Sequence, residues 1–423
     1  MNKKIMALAV AGAFAAPAAA LAQASNVQIF GTVYIEYAYA KQGSQNPPGS
    51  GDLVNIDFLQ TPGSEIGFKG EEALGGGTSA WFQCTSTMDF RGAAPQGFCG
   101  RNSALGVKGN FGNLFAGNWD MPTKRTAGAV RILSDTGVWG TGFLLFNNSS
   151  TFNDNGGPAA FSRRQNNSIF YDTPVWGGFQ GFVGVSTPST AIARTSNYSG
   201  AKPRVWSVAA NYTNGPLIVT AGYERHNNFA TGAGAGAGLT TNNQYASEDT
   251  GYQIGAAYQF GPVKVGLLYA NQRIDTSQTQ AVQSDLRVSA WNLGAEWRIV
   301  GPHGIRGGYT KANDTKGNYG PGTAGASVAG AVCAPIAVPV NGNGAALAGA
   351  GSGQRIGNCG AGGTGANLWQ IQYVYQASKR TEFTVGYARL DNDNNARYSL
   401  GGFTQPNAGQ DQNAFAVSMK TTF

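Results

Sequence analysis

Apolar and polar side chains alternate with a strict period of two in one short run after another. Tyr252, Ile254, Ala256, Tyr258 and Phe260 share one side of such a run, and Gln253, Gly255, Ala257 and Gln259 share the other. Trp291, Leu293, Ala295, Trp297 and Ile299 oppose Asn292, Gly294, Glu296 and Arg298, while Val263, Val265, Leu267 and Tyr269 oppose Lys264 and Gly266. Trp369, Ile371, Tyr373 and Tyr375 oppose Gln370, Gln372 and Gln376, and the chain closes on Phe415, Val417, Met419, Thr421 and Phe423. A period of two is the mark of a β-strand with unlike faces. A soluble sandwich alternates too, but it has no reason to gather aromatics at strand ends, as Trp206 with Tyr212 and Trp291 with Trp297 do here. Aromatic girdles at the two interfaces of a bilayer give that distribution.

The connections alternate as well. Tight turns are expected at Glu71–Gly77, Gly109–Asn113, Pro174–Gly178, Asn214–Pro216, Gly261–Pro262, Gly301–Gly304 and Ser378–Arg380, with longer polar or glycine-rich segments between them. Seven tight turns with both termini on one side predict eight hairpins, hence an all-β, transmembrane antiparallel barrel of about 16 strands. At that size the lumen is too wide for side chains to fill and holds an aqueous channel. Residues 315–366 are rich in glycine and alanine and read as a long surface loop.

The N-terminus fits this reading. Lys3 and Lys4 precede an apolar run from Ile5 to Ala16 and then Ala20-Leu21-Ala22. This is the pattern of a secretory signal peptide over residues 1–22, leaving a barrel domain over 23–423. The apolar run is shorter than the ~20 residues a transmembrane helix needs. Charged residues make up 12% of the chain, well under the ~25% usual in soluble domains. Mean hydropathy is nonetheless slightly negative, as expected when half of each strand meets water. Without Lys3 and Lys4 the net charge of +7 becomes +5. With no Lys/Arg run or aromatic-basic motif, nucleic acid is not an expected partner.

Cys84 and Cys99, and Cys333 and Cys359, form two pairs, each close in sequence. In an exported chain this spacing points to two loop-stapling disulfides, with free thiols as the alternative. A metal site would need CxxC-type spacing or neighbouring histidines, and His226 and His303 are the chain's two histidines. His226 ends a strand beside Glu224 and Arg225, and His303 falls in a tight turn. Both read as exposed polar termini of strands, and no Ser–His–carboxylate arrangement is visible. No enzyme activity, metal or cofactor is expected.

Several segments in order carry a family resemblance. They are Phe30-Gly31-Thr32-Val33, then Ser64-Glu65-Ile66-Gly67-Phe68-Lys69-Gly70-Glu71, Arg101 through Gly109, and Phe111-Gly112-Asn113-Leu114 with Ala116-Gly117. Asn167-Ser168-Ile169-Phe170-Tyr171 with Pro174, Ser378-Lys379-Arg380-Thr381 and the terminal Phe423 follow. In this order the chain resembles the Gram-negative trimeric porins, the β-proteobacterial general-diffusion branch, over essentially the whole mature sequence.

The resemblance implies a homotrimer in the cell outer membrane, in contact with its lipid. Trimer contacts would come from strands near the termini, where Phe30 could serve. It also implies a third extracellular loop, about 120–163, folded inward as a constriction and carrying Asp120, Lys124, Arg125, Arg131, Asp135 and Asp154. Arg101 matches a basic wall position, and Lys69 a lumen-facing one sharing parity with Glu65. Glu65 and Asn118 stand where the family commonly has arginine, and Glu36 adds an acid to the lumen. Arg164, with Arg163 before it, enters the next strand, where alternation would not place both inside.

The function read from this is passive diffusion of ions and small hydrophilic solutes, with mild, anion-leaning selectivity. The alternatives are a solute-specific channel or a non-conducting adhesin or structural barrel. Inward aromatics such as Tyr34 are expected to be scattered, which argues against a sugar-specific ladder. Cleavage after Ala22 predicts Gln23 as the first residue of the mature protein, which N-terminal sequencing of protein extracted from outer membranes checks.

Overall fold

The computed structural model describes residues 27–43, 54–92, 97–133, 136–140, 161–187, 204–227, 248–275 and 285–316, and 363–423 with short gaps between 394 and 409. Seventeen strand segments follow in chain order. They are β1 (Gln28–Gln42), β2 (Val54–Gln60), β3 (Glu65–Gly75), β4 (Thr78–Thr87), β5 (Ser103–Gly109), β6 (Gly112–Asp120), β7 (Arg164–Asp172), β8 (Phe179–Ser186) and β9 (Arg204–Asn214). The rest are β10 (Leu217–Asn227), β11 (Glu248–Phe260), β12 (Val263–Asp275), β13 (Asp285–Val300), β14 (His303–Ala312), β15 (Ala366–Gln376), β16 (Thr381–Asn392) and β17 (Gln412–Thr422). Among the described residues between β6 and β7 lie an α-helix, α1 (Pro122–Val130), and a short 3-10 turn, Gly137–Trp139.

All strand pairs are antiparallel neighbours, and β17 pairs back onto β1 from Thr32↔Thr422 to Gln42↔Gln412, so the sheet is closed. β2 and β3 are two halves of one stave. β1 pairs with β2 from Glu36↔Gln60 to Gln42↔Val54, and with β3 from Gln28↔Lys69 to Thr32↔Glu65. The wall therefore has sixteen staves, as the turn count predicts. At the break, residues 61–64 oppose only residues 33–35. Backbone groups orphaned at membrane depth are costly, and Ser64 takes them up. Its fully buried hydroxyl accepts from the Tyr34 N–H at 2.9 Å and donates to the Tyr34 carbonyl at 2.9 Å.

Register fixes which face each side chain takes. Ile29, Ile35, Tyr37, Leu105, Ile169, Trp206, Tyr252, Ile254, Leu293, Trp369 and Phe415 are all exposed and share the outer parity. The terminal Phe423 lies against Gly31 on this face, where a Cβ would meet its ring. Phe30 has the other parity. Its ring covers Gly67 and lies under the Lys69 ammonium, so it faces inward and is not an outer contact residue.

The seven tight turns fall where expected, with one adjustment. Glu71–Gly75 continues β3, and the turn there shrinks to Gly76-Gly77. Cys84 and Cys99 are bonded, with Cα atoms 4.8 Å apart, tying the loop before β5 to β4. Cys333, Cys359, Asp135, Asp154, the 1–22 leader and most of the 315–366 loop lie outside the described residues.

Ser64→Ala leaves the Tyr34 N–H and C=O unpaired at membrane depth and should cost about 1–3 kcal/mol. The check is a lower urea midpoint for the loss of heat-modifiable migration.

Candidate functional site

The segment after β6 turns back onto the inner face of the wall. Pro122 opens α1, where its missing N–H costs nothing, and the helix buries Pro122, Thr123, Thr126, Ala127 and Val130. The wall meets this segment with glycines. A Cβ at Gly222 would meet Thr123, at Gly255 Val130, at Gly294 Ile132, at Gly308 Leu133 and at Gly386 Trp139. At Gly266 it would meet the Val130 carbonyl oxygen, backbone against backbone, which no side chain can relieve. These glycines share the inner parity of β10–β14 and β16, so residues 122–133 and 136–139 lie along a track that side chains would block.

The track ends at β1. Glu36 is fully buried; it accepts from the Val138 N–H at 3.0 Å and the Tyr34 hydroxyl at 2.8 Å, and also from the Gln60 amide. Gly137 sits directly on this carboxylate with φ of +71°, so both its backbone conformation and its lack of a Cβ are required. Glu36 is thus on the inner face, as its parity predicts, but with no surface open to the lumen. Its observed contacts anchor the loop.

The two legs of the segment are tied near β6 and β7. Asp120 pairs with Lys124 at 3.0 Å and Arg164 at 3.3 Å and accepts from the Asn102 amide at 3.0 Å. Arg164 also donates to the Asn102 side chain at 2.6 Å. Arg125 makes a two-pronged pair with Asp172 at 2.8 and 2.7 Å and lies over the Phe182 ring. Arg131 is half-buried just beyond α1.

Behind the helix, Glu224 accepts from Thr123 and meets His226 Nε2 at 2.9 Å, while Phe161 stacks on the imidazole with centroids 4.4 Å apart. His226 is thus fully buried, not an exposed strand end, because the loop returns across it. His303 is exposed, with Nδ1 2.6 Å from the Tyr373 hydroxyl.

Arg163 and Arg164 are both buried, at 5% and 2% exposure. Arg163 precedes the strand, so alternation does not bind it. Burial lowers its guanidinium to about 10, against the opposing pull of Glu224 and Asp249, and it stays charged at neutral pH.

On the uncovered wall, Glu65 pairs with Arg101 at 2.6 Å. Lys69 shares their face, with the Phe30 ring 5.2 Å beneath its ammonium. Nearer the tight turns, Arg306 reaches Glu382 at 3.1 Å and Glu296 at 3.4 Å. Lys264 and Lys420 stand in register beside Glu296 and Glu382, whose carboxylates Arg306 already engages.

Asn102, Asp172, Arg306 and Glu382 are missing from the sequence-derived lining because they are brought together by cross-strand register. Parity alone gave a signal for Lys264, opposite Val263 and Val265, and for Lys420, opposite Met419 and Thr421. The inward aromatics are not scattered. Trp81, Phe115, Trp119 and Phe170 form one cluster, with Phe115 and Phe170 stacked at 4.9 Å, packing against Met121 at the root of the loop. Among the described residues, no three His, Cys, Asp or Glu side chains are grouped to hold a metal.

A closed sixteen-stave barrel with an apolar outer band and a charged inner wall defines a transmembrane β-barrel channel. The chain belongs to the Gram-negative porin family, whose profile matches residues 7–395, and is an outer-membrane channel protein.

It is 30% identical over 324 residues to the outer membrane porin protein 32 of Delftia acidovorans, covering 75% of this chain and 82% of that protein. It is 28% identical over 233 residues to a major outer membrane protein P.IB of Neisseria meningitidis, covering 53% of this chain and 60% of that protein. Among solved structures, the fold is similar to an anion-selective porin from Comamonas acidovorans, with a TM-score of 0.65, 22% identity and coverage of 94% and 100%. It is also similar to OmpT of Vibrio cholerae, with a TM-score of 0.60, 15% identity and coverage of 95% and 99%.

Glu36→Ala leaves the Val138 N–H buried and unpaired and frees the loop at Gly137. Single-channel records should show added open-state flicker, with Glu36→Gln, which keeps an acceptor oxygen, nearer the wild type.

Proposed function

We propose that the protein is a general-diffusion channel for ions and small hydrophilic solutes, with anion-leaning selectivity, and that it works as a homotrimer without covalent chemistry. The observation that carries the selectivity is which wall charges lack an opposite. On the inner face of the strands, Glu65, Asp120, Asp172, Glu296 and Glu382 each pair with an arginine, and Glu36 has no exposed surface. Lys69, Lys264 and Lys420 have no carboxylate partner among the described residues. In a narrow lumen bounded by a low-dielectric wall, uncompensated charges set the potential that a passing ion meets.

The loop from Asp120 to Arg163 is the constriction in this reading, supported by the seat of residues 122–133 and 136–139 on the glycine track. Lys124, Arg125, Arg131 and Arg164 line or brace it. Arg101, Lys69 and Glu65 form the facing wall. Of the alternatives, a solute-specific channel would draw on the inward aromatic cluster, but Phe115 and Phe170 are buried against the loop root and offer no ladder of open rings. The likeness in fold to an anion-selective porin from Comamonas acidovorans supports the lean, and the outward apolar side chains suit packing against lipid and further copies.

Reconstituted in a planar bilayer across a KCl gradient, the protein should give stepwise conductance and an anion-favouring reversal potential. Replacing Lys69, Lys264 and Lys420 together by Gln should lower the anion-to-cation permeability ratio about two-fold or more. A cation-favouring wild type, or a triple variant with an unchanged ratio, would sink the selectivity reading. Absence of conductance from a folded barrel would sink the channel itself.

A further inference from the structure

The connection between β16 and β17 also turns inward. Its described residues between Asp393 and Asp411 include Tyr398, Leu400 and Phe403, all buried. The wall beneath them is built of buried alanines on the inner parity. These are Ala38 and Ala40 on β1, Ala388 on β16, and Ala414 and Ala416 on β17. Like the glycines under α1, they leave room for a second segment to lie against the strands. Phe403 stacks on Phe58 of β2, with ring centroids 6.3 Å apart.

Side-chain amides on the same face hold the backbone of this segment. Asn392 accepts from the Tyr398 N–H at 3.0 Å and donates to the Tyr398 carbonyl at 2.9 Å. Gln412 accepts from the Leu400 N–H at 2.8 Å. These amides supply the partners that a buried loop backbone needs and does not find in a strand.

The two inward segments meet at one residue. Gln60 on β2 is buried, and its amide group has two N–H donors. One goes to Glu36 Oε1, the oxygen that also accepts from the Val138 N–H, and the other goes to the Gly401 carbonyl at 3.3 Å. Three hydrogen bonds in series thus run from the backbone of one segment to the backbone of the other. Gln60 Oε1 bonds nothing among the described residues, so the donors alone orient the amide. An apolar contact runs in parallel. Trp139 lies over Gly386 and belongs to one continuous buried cluster with Leu400, Phe403 and the alanines. In a close-packed cluster, withdrawing one member leaves a void that its neighbours feel.

We propose that Gln60 is a positioning residue that couples the 393–411 segment to the seat of Val138, so that opening of either segment loosens the other. By linkage the coupling acts equally in both directions. It rests on the channel reading only for its electrical consequence, that brief closures of the lumen involve both segments together.

The test is amide hydrogen exchange of the full protein in detergent micelles, read by mass spectrometry. Peptides containing Val138 report on one segment, and peptides containing Tyr398 and Leu400 on the other, because local opening sets the exchange rate of a bonded N–H. Phe403→Ala leaves every bond to Val138 in place and should speed exchange there at least about three-fold. Glu36→Ala should do the same at Tyr398 and Leu400, whose own acceptors it does not touch. In a Gln60→Met background, which lacks both amide bonds, neither substitution should alter the opposite segment further. Gln376→Met, whose amide donates within the tight turn before β16, should exchange as the wild type does in both segments.

Unchanged exchange at Val138 in Phe403→Ala overturns the coupling. A full effect of Phe403→Ala in the Gln60→Met background overturns the role of Gln60, as does a Gln376→Met variant that behaves like Gln60→Met. Should Gln60→Met not fold, Gln60→Asn, too short to reach both acceptors, takes its place with the same expectation. Planar-bilayer records keep the two readings apart. Coupled exchange without conductance sinks the channel and keeps the coupling, and conductance without coupled exchange sinks the coupling alone.

Discussion

In the hydrocarbon of a bilayer, a backbone N–H or C=O has no water to bind, so each one that crosses must find a partner within the chain. Everything else in this barrel follows from meeting that demand with strands. It requires β17 to return to β1 along eleven registered pairs from Thr32↔Thr422 to Gln42↔Gln412. It also explains the place where the ladder fails. Between β2 and β3 one stave carries an extra residue, and the Ser64 hydroxyl serves as both acceptor and donor to Tyr34, doing in one side chain what the missing pair would have done.

Closure at sixteen staves creates the next problem, a lumen that wall side chains cannot fill. The chain answers with residues 121–133 and 136–139, laid along the inner face instead of standing above it. Glycines on successive strands let the loop backbone approach the wall, and polar contacts fasten it where it leaves β6, at the α1–β10–β11 contact and at β1. Charge follows from the same economy of space. Of the carboxylates drawn into these fastenings, Asp120 and Asp172 are matched by Arg164 and Arg125, and Glu36 is closed off by neutral donors. Among the described residues of the wall, Lys69, Lys264 and Lys420 take no part in these fastenings.

Much of the wall was legible from the residues. The period of two assigned faces to β11, β12, β13 and β15, the tight turns gave the stave number, and the resemblance placed Arg101, Lys69 and Glu65 on one surface. The site was harder to read, and for a common reason. Glu36 has the right parity for the lumen, yet its solvent was taken away by Val138, about a hundred residues later in the chain. His226 reads as a strand end, yet the returning Phe161 buries it. Arg163 and Arg164 were held to alternation, which governs a strand but not the residue before it. Local pattern tells which way a side chain leaves its own strand and carries no information about what another segment lays over it.

The sequence by itself determined the architecture of this protein, a closed antiparallel barrel with an apolar exterior and a polar interior, because period, turn chemistry and the demand for paired backbone groups are all local or additive properties. Only the tertiary structure decided which inner charges are spent on one another and which are left to the lumen. Pairing of Glu65 with Arg101, or of Arg306 with Glu296 and Glu382, depends on the stagger between strands and on the path of a loop across them. A few ångströms of register separate a compensated charge from one that acts on a passing ion.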